Sequence, residues 1–170
     1  MELVEQLKKD GIGKGLCRMW QMKLKPGTDM KSLVGLFIKG IDFCIANDYP
    51  TLDFMRQNFK GHCEPYGAYV DDDVKVDNVP NVVMNGDCKA LVLYDRYNVG
   101  NIYIRHGSVV ELTAADNAFV TVDIFDNAKL YVATAGCKAR VNVNVYGNAV
   151  VEKANECVGL KIRLTNKKTY

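Results

Sequence analysis

The sequence predicts a mainly β fold, a short β-solenoid (β-helix) of about ten-residue coils with an N-terminal α-helical cap. Three observations predict it. A three-residue corner recurs at Asp116-Asn117-Ala118, Asp126-Asn127-Ala128 and Gly147-Asn148-Ala149. Apolar residues two apart follow each corner in register: Val110, Val120, Leu130, Val141 and Val151 at one position, and Leu112, Val122, Val132 and Val143 at the next. The first sixty or so residues show helical spacing instead, and that period disappears near Gly61.

Taken in order, Leu3, Val4 and Leu7 have the i, i+3, i+4 spacing of a short amphipathic helix over residues 2–9, stopped by Gly11 and Gly13. Leu16–Leu24 fits helix or strand, and Pro26-Gly27 ends it. Thr28 reads as an N-cap, with Leu33, Leu36, Phe37, Ile38, Ile41, Phe43, Cys44 and Ile45 on one broad apolar helical face. Asn47-Asp48-Tyr49-Pro50 terminates that helix, because the residue before a proline avoids the helical region. Thr51 then opens a last helix through Phe59. A unit this small buries too little surface to stand alone. Residues 1–62 are therefore expected to cap a solenoid formed by residues 63–170.

Counted from Asn117, the coil starts fall at Gly107, Asn117, Asn127, Lys138 and Asn148, spaced by 10, 10, 11 and 10 residues. A ten-residue coil cannot bury its apolar face alone; stacking on its neighbours buries it. Asparagine and glycine suit the corners because they tolerate left-handed backbone, and stacked asparagines can hydrogen-bond along the axis. The extra residue near Gly136-Cys137 implies a bulge or a widened corner. Two coils per rung place Phe119, Thr121 and Asp123 on one outer face beside Arg140, Asn142 and Asn144, and Glu111 and Thr113 on the other beside Lys129 and Tyr131. Upstream, Leu91, Leu93, Ile102 and Ile104 fit a less regular register, with 94–98 as a looser corner. Leu160–Leu164 is expected to finish the far end.

No catalytic constellation emerges, and the expectation is a protein that is not an enzyme and needs no cofactor or metal. His62-Cys63-Glu64 mixes ligand types, but adjacent residues rarely chelate one ion, and His106 is 44 positions away. Asp71, Asp72, Asp73 and Asp77 lack the spacing of a calcium loop. Ser108 has no flanking nucleophile motif, and the glycines at 11–15 do not have phosphate-loop spacing. Six separated cysteines form no close pair and read as reduced, packed thiols. A net charge of +2 without a long basic run gives no reason to expect nucleic acid or membrane. The N-terminus has no secretory pattern, which points to the cytoplasm, with association with a virion as the other location. Tyr94, Tyr97, Tyr103, Phe119, Phe125, Tyr131 and Tyr146 read as outer aromatics able to pack at an interface or stack on sugars.

The Asp/Gly-Asn-Ala corners, behind a helical segment reading Gly40-Ile41-Asp42-Phe43-Cys44 and Pro50-Thr51-Leu52-Asp53-Phe54, resemble uncharacterised short solenoid proteins of gut bacteria and their phages. More distantly the chain is similar to bactofilins, polymer-forming β-helical proteins, from whose pattern its helical N-terminal unit departs. The resemblance implies architecture and carries over no catalytic residue. It leaves three expectations. The first is a structural or interaction protein, possibly phage- or prophage-encoded, that self-associates as a homo-oligomer or attaches to a protein or glycan partner through Phe119, Thr121, Asp123, Tyr131, Arg140, Asn142 and Asn144. The second is a carbohydrate-binding module or polysaccharide-active β-helix. The third is a filament, which requires an end that the helices leave uncovered.

Overall fold

The computed structural model describes residues 2–136 and 138–170 and divides into two compact units, Met1–Tyr66 with Tyr170, and Gly67–Thr169. The first is helical. Helix α1 (Leu3–Gly13) runs through the glycines expected to stop it. Gly11 is buried there, and a Cβ on it would meet Leu16 and Tyr49 at 2.9 Å, so its role is close packing. Gly15, at φ +90°, lies beyond the helix. The ambiguous stretch resolves as a single helical turn, α2 (Arg18–Gln21).

The long helix expected after Thr28 is two helices, α3 (Met30–Lys39) and α4 (Ile41–Ala46), divided at Gly40. A Cβ there would lie 3.4 Å from the Trp20 ring. The N-cap is Asp29, not Thr28: its carboxylate accepts the Ser32 N–H at 2.8 Å, and hydrogen bonding from the Ser32 hydroxyl together with that N–H holds it below the usual aspartate range. Helix α5 (Leu52–Asn58) has the expected Thr51 cap, and a 3-10 turn follows at Glu64–Tyr66.

The second unit is a β-solenoid of about five turns, with eleven strands among the described residues that alternate between two parallel sheets. One sheet holds β1 (Ala68–Val70), β3 (Asn81–Asn85), β5 (Val99–Ile104), β7 (Phe119–Ile124), β9 (Arg140–Val145) and β11 (Leu160–Leu164), neighbours in that order. The other holds β2 (Asp73–Asp77), β4 (Lys89–Tyr94), β6 (Val109–Ala115), β8 (Lys129–Ala135) and β10 (Val150–Lys153). Two coils do make one rung: Val110 pairs with Leu130, and Val120 with Val141. The upstream coils, expected to be less regular, keep the same register, with Ile102 on Val122 and Val92 on Leu112.

The core is the alternation made solid. Val110, Val120, Val122, Ile124, Val132 and Val141 are all 0% exposed. Tyr94, expected outside, is inside and 0% exposed, donating its hydroxyl to the Val79 carbonyl. Burial pushes its phenol above the usual tyrosine range. Gly100 makes the room, since a Cβ on it would overlap the Tyr94 ring.

The corners differ from expectation by one residue. The left-handed position precedes each coil start: Gly86, Arg96, His106, Asp116, Asp126, Gly136 and Gly147, with φ between 53° and 83°. Aspartate, asparagine and histidine side chains all make axial bonds at the corners: Asn78 Oδ1 accepts the Asp95 N–H and His106 Nδ1 the Gly86 N–H, both at 3.0 Å. The Arg96 N–H donates to Asp116 Oδ2 at 2.9 Å, and the His106 N–H donates to Asp126 Oδ2 at 2.8 Å. Asn117 and Asn127 use their backbone N–H groups instead, donating to the Arg96 and His106 carbonyls. A carboxylate on a left-handed residue thus holds the left-handed residue of the next rung. Ala118, Ala128 and Ala139 fill the tight bend after each corner and are at most 1% exposed. The irregular corner expected at Cys137 lies outside the described residues.

Candidate interaction surfaces

Each outer face follows from strand register, because a parallel strand pair stacks like positions about 4.8 Å apart. On the six-stranded sheet Phe119 pairs with Arg140, Thr121 with Asn142 and Asp123 with Asn144, the three ladders expected from the repeat. The register extends them. Asn81, Asn101, Thr121, Asn142 and Lys161 form one row, and Tyr103, Asp123, Asn144 and Arg163 the next. Both rows are bonded along the axis: the Asn144 amide donates to Asp123 Oδ1 at 2.7 Å and the Asn101 amide to Asn81 Oδ1 at 3.3 Å. Phe119 is 39% exposed and Arg140 is exposed beside it, so the grid has an amphipathic margin.

Tyr131 belongs to the other face, as expected, where it pairs with Glu111 and is 40% exposed. Lys75, Leu91, Glu111, Tyr131 and Glu152 make one row, and Asp73, Lys89, Val109, Lys129 and Val150 the adjacent one. Glu111 and Asp123 stand on different sheets, so these two carboxylates do not converge.

Two of the aromatics read as outer ones are not available to a partner. Tyr94 is in the core, and Phe125 is 1% exposed, stacked on Tyr146 with ring centroids 4.6 Å apart. Corner residues side by side on successive rungs become stacking partners, which a one-dimensional repeat does not reveal. Tyr97 is the most exposed aromatic among those seven at 81%, in a shallow recess with Arg96, Asp116, Asn117 and Lys138.

Ser108, Asp71 and Asp72 hold backbone in place. Ser108 is 0% exposed and its hydroxyl donates to the Gly86 carbonyl at 2.9 Å. Asp71 accepts the Asp87 N–H and Asp72 the Val70 N–H, both at 2.8 Å, while Asp73 and Asp77 point outward from β2. Cys63 is buried, His62 is exposed, and among the described residues no group of three His, Cys, Asp or Glu side chains is placed to hold a metal ion. Cys17, Cys44, Cys63, Cys88 and Cys157 are free thiols; Cys137 lies outside the described residues. Burial raises the Cys88 thiol. The helical unit contains a cavity of about 280 Å³ walled chiefly by Leu16, Trp20, Leu33, Phe37 and Phe43. Tyr49 also lines it, with its hydroxyl donated to the Leu7 carbonyl at 2.7 Å. No helix is long and apolar enough to cross a membrane among the described residues.

The segment expected to finish the far end, Leu160–Leu164, forms its last strand but leaves that end open. Leu160, Ile162 and Leu164 occupy inward positions over Val141, Val143 and Val145, yet Ile162 is 42% and Leu164 70% exposed. Their alternation marks them as inward; only the stacking order shows that β11 is outermost in its sheet.

Comparison with protein-family models, with curated proteins and with solved structures returns no match.

Proposed function

We propose that this chain is a non-enzymatic structural or interaction protein whose rigid solenoid presents outer ladders for self-association or attachment. The observation that carries the reading is the registered grid of Asn81, Asn101, Thr121 and Asn142 beside Tyr103, Asp123 and Asn144. Side chains held on a hydrogen-bonded scaffold lose little freedom when a partner docks, so modest contacts convert into affinity. Size exclusion with light scattering over a range of concentrations, together with a glycan array, tests the reading. Assembly of any order supports it, whereas capture of a defined sugar by a chain that stays monomeric favours the second reading below. A monomer at every concentration that binds no glycan overturns it.

Glycan binding is a second reading, favoured by the Tyr97 recess, where an exposed ring stands beside Asn117, Asp116 and Lys138. Tyr97→Ala should abolish a sugar response if the recess is the platform. An unchanged response would remove it.

A further inference from the structure

The two ends of the solenoid differ. At the first, the inward residues Tyr69 of β1 and Val76 of β2 are 8% and 3% exposed. At the last, Ile162 and Leu164 of β11 are open, Val158 in the preceding loop is 55% exposed, and Val151 of β10 is half-buried. The two outermost strands, β10 and β11, also present their outer backbone edges, and exposed edges of this kind pair with other strands. We infer that this last rung docks against the same rung of a second copy, giving a closed two-fold dimer in which β11 of each chain pairs antiparallel with β10 of the other. The inference rests on the self-association reading above.

Charge selects that arrangement. The outward residues of β11 are Lys161 and Arg163, whereas β10 carries Glu152 outward. Pairing β11 with its own copy about Ile162 sets Lys161 against Arg163, a like-charge contact. Pairing β11 with β10 of the second copy sets Lys161 across from Glu152 and Ile162 across from Val151. All four residues of β10 are then paired, and Lys153 falls at the strand end opposite Leu160, where its amine can reach water. Two-fold symmetry makes the contact twice. A five-residue strand is about 17 Å long and the two sheets stand about 10 Å apart. With side chains, each end presents on the order of 500 Å². The dimer then buries about 1,000 Å², the lower bound for a specific interface. Because Tyr69 and Val76 are buried at the other end, the contact closes at two copies instead of propagating. It also carries the outer ladders of one copy on into those of the next.

Sedimentation velocity of the full chain over a hundredfold concentration range tests the inference. The expected result is a reversible monomer–dimer equilibrium. Ile162→Lys should yield monomer, while Glu152→Lys and Lys161→Glu should each weaken the dimer about tenfold. The double variant Glu152→Lys/Lys161→Glu should restore it to within about threefold. Rescue reports a contact between chains, because the two residues lie on different sheets of one solenoid. All three side chains are exposed, so circular dichroism should stay unchanged and separate a lost interface from a lost fold. Wild-type monomer throughout overturns the inference. Association that Ile162→Lys leaves intact overturns this end as the interface while the self-association reading stands. Species beyond the dimer overturn closure, and failure of the double variant to recover overturns the pairing of β11 with β10.

Discussion

The middle rung of strands β6 and β7 and the last rung of strands β10 and β11 are written in the same alternating pattern. In the middle, Val110, Leu112, Val120 and Val122 are at most 1% exposed. In the last rung the equivalent inward residues include Val151, half-buried, and Ile162, 42% exposed. Alternation decides which way a side chain points; the next coil decides whether it is buried. In a stacked repeat, stability is therefore a sum of neighbour contacts, and a rung with one neighbour has about half of them.

The sharpest test of that difference is a pair of truncations measured by urea unfolding below any dimerising concentration. Leu112→Ala should cost about 3 kcal/mol, because it opens a cavity between Val92 and Val132. Leu164→Ala, at a position 70% exposed, should stay within about 0.5 kcal/mol. Equal losses would break the comparison by showing that the last rung is as well packed as the middle.

Overpacking probes the same core from the other direction. Gly100→Ala should cost about 2 kcal/mol, since the added methyl overlaps the Tyr94 ring, and pairing it with Tyr94→Leu should recover part of the loss. Additive losses in the double variant would show that the glycine serves some purpose other than seating the ring.

Corner chemistry should matter less. Asp126→Ala removes the acceptor for the His106 N–H and leaves alanine at φ +60°, an expected loss of about 1–2 kcal/mol. Asp126→Asn keeps both an acceptor and tolerance of that backbone, so its unfolding midpoint should stay close to wild type. A large loss in Asp126→Asn would mean that the charge, not the hydrogen bond, holds the corner.

The smallest effect expected is electrostatic. Asp95 accepts from the Asn78 amide at 2.8 Å and from Arg96, which hold its carboxyl below the ordinary value of 3.8. Its contribution is present above the unfolded-state pKa and is lost as pH falls through the lower folded value. An NMR titration should place it below 3.8, and Asn78→Ala should move it back up. No movement would remove the Asn78 bond as the main cause.

The repeat was legible because a solenoid is nearly one-dimensional: each rung contacts only its neighbours, so position in the period is position in space. That is why Phe119, Thr121 and Asp123 could be matched to Arg140, Asn142 and Asn144 from spacing alone. Asn117 was the natural guess for the left-handed corner because asparagine tolerates that backbone, but so does aspartate, and the carboxylate of Asp116 reaches the Arg96 N–H one rung away. Composition cannot separate the two; the axial partner does.

In the helical unit less could be read. Gly11 was expected to stop α1 because glycine weakens a helix interior by roughly 1 kcal/mol, yet it stays helical where Leu16 and Tyr49 leave no room for a Cβ. Gly40 marks the break between α3 and α4, with Trp20 close by, and nothing in the local apolar period of residues 33–45 shows that division.

By itself, then, the sequence determined the period, the inward and outward sides of the strands in the regular repeat from Val110 to Val143, and the solenoid class, all consequences of local alternation and of corners repeated every ten or eleven residues. Tertiary structure alone decided that Tyr94 fills the space beside Gly100, that Phe125 stacks on Tyr146, and that Ile162 and Leu164 stand open. Each depends on what lies across the rung or beyond it, and local alternation carries no record of which residue that is.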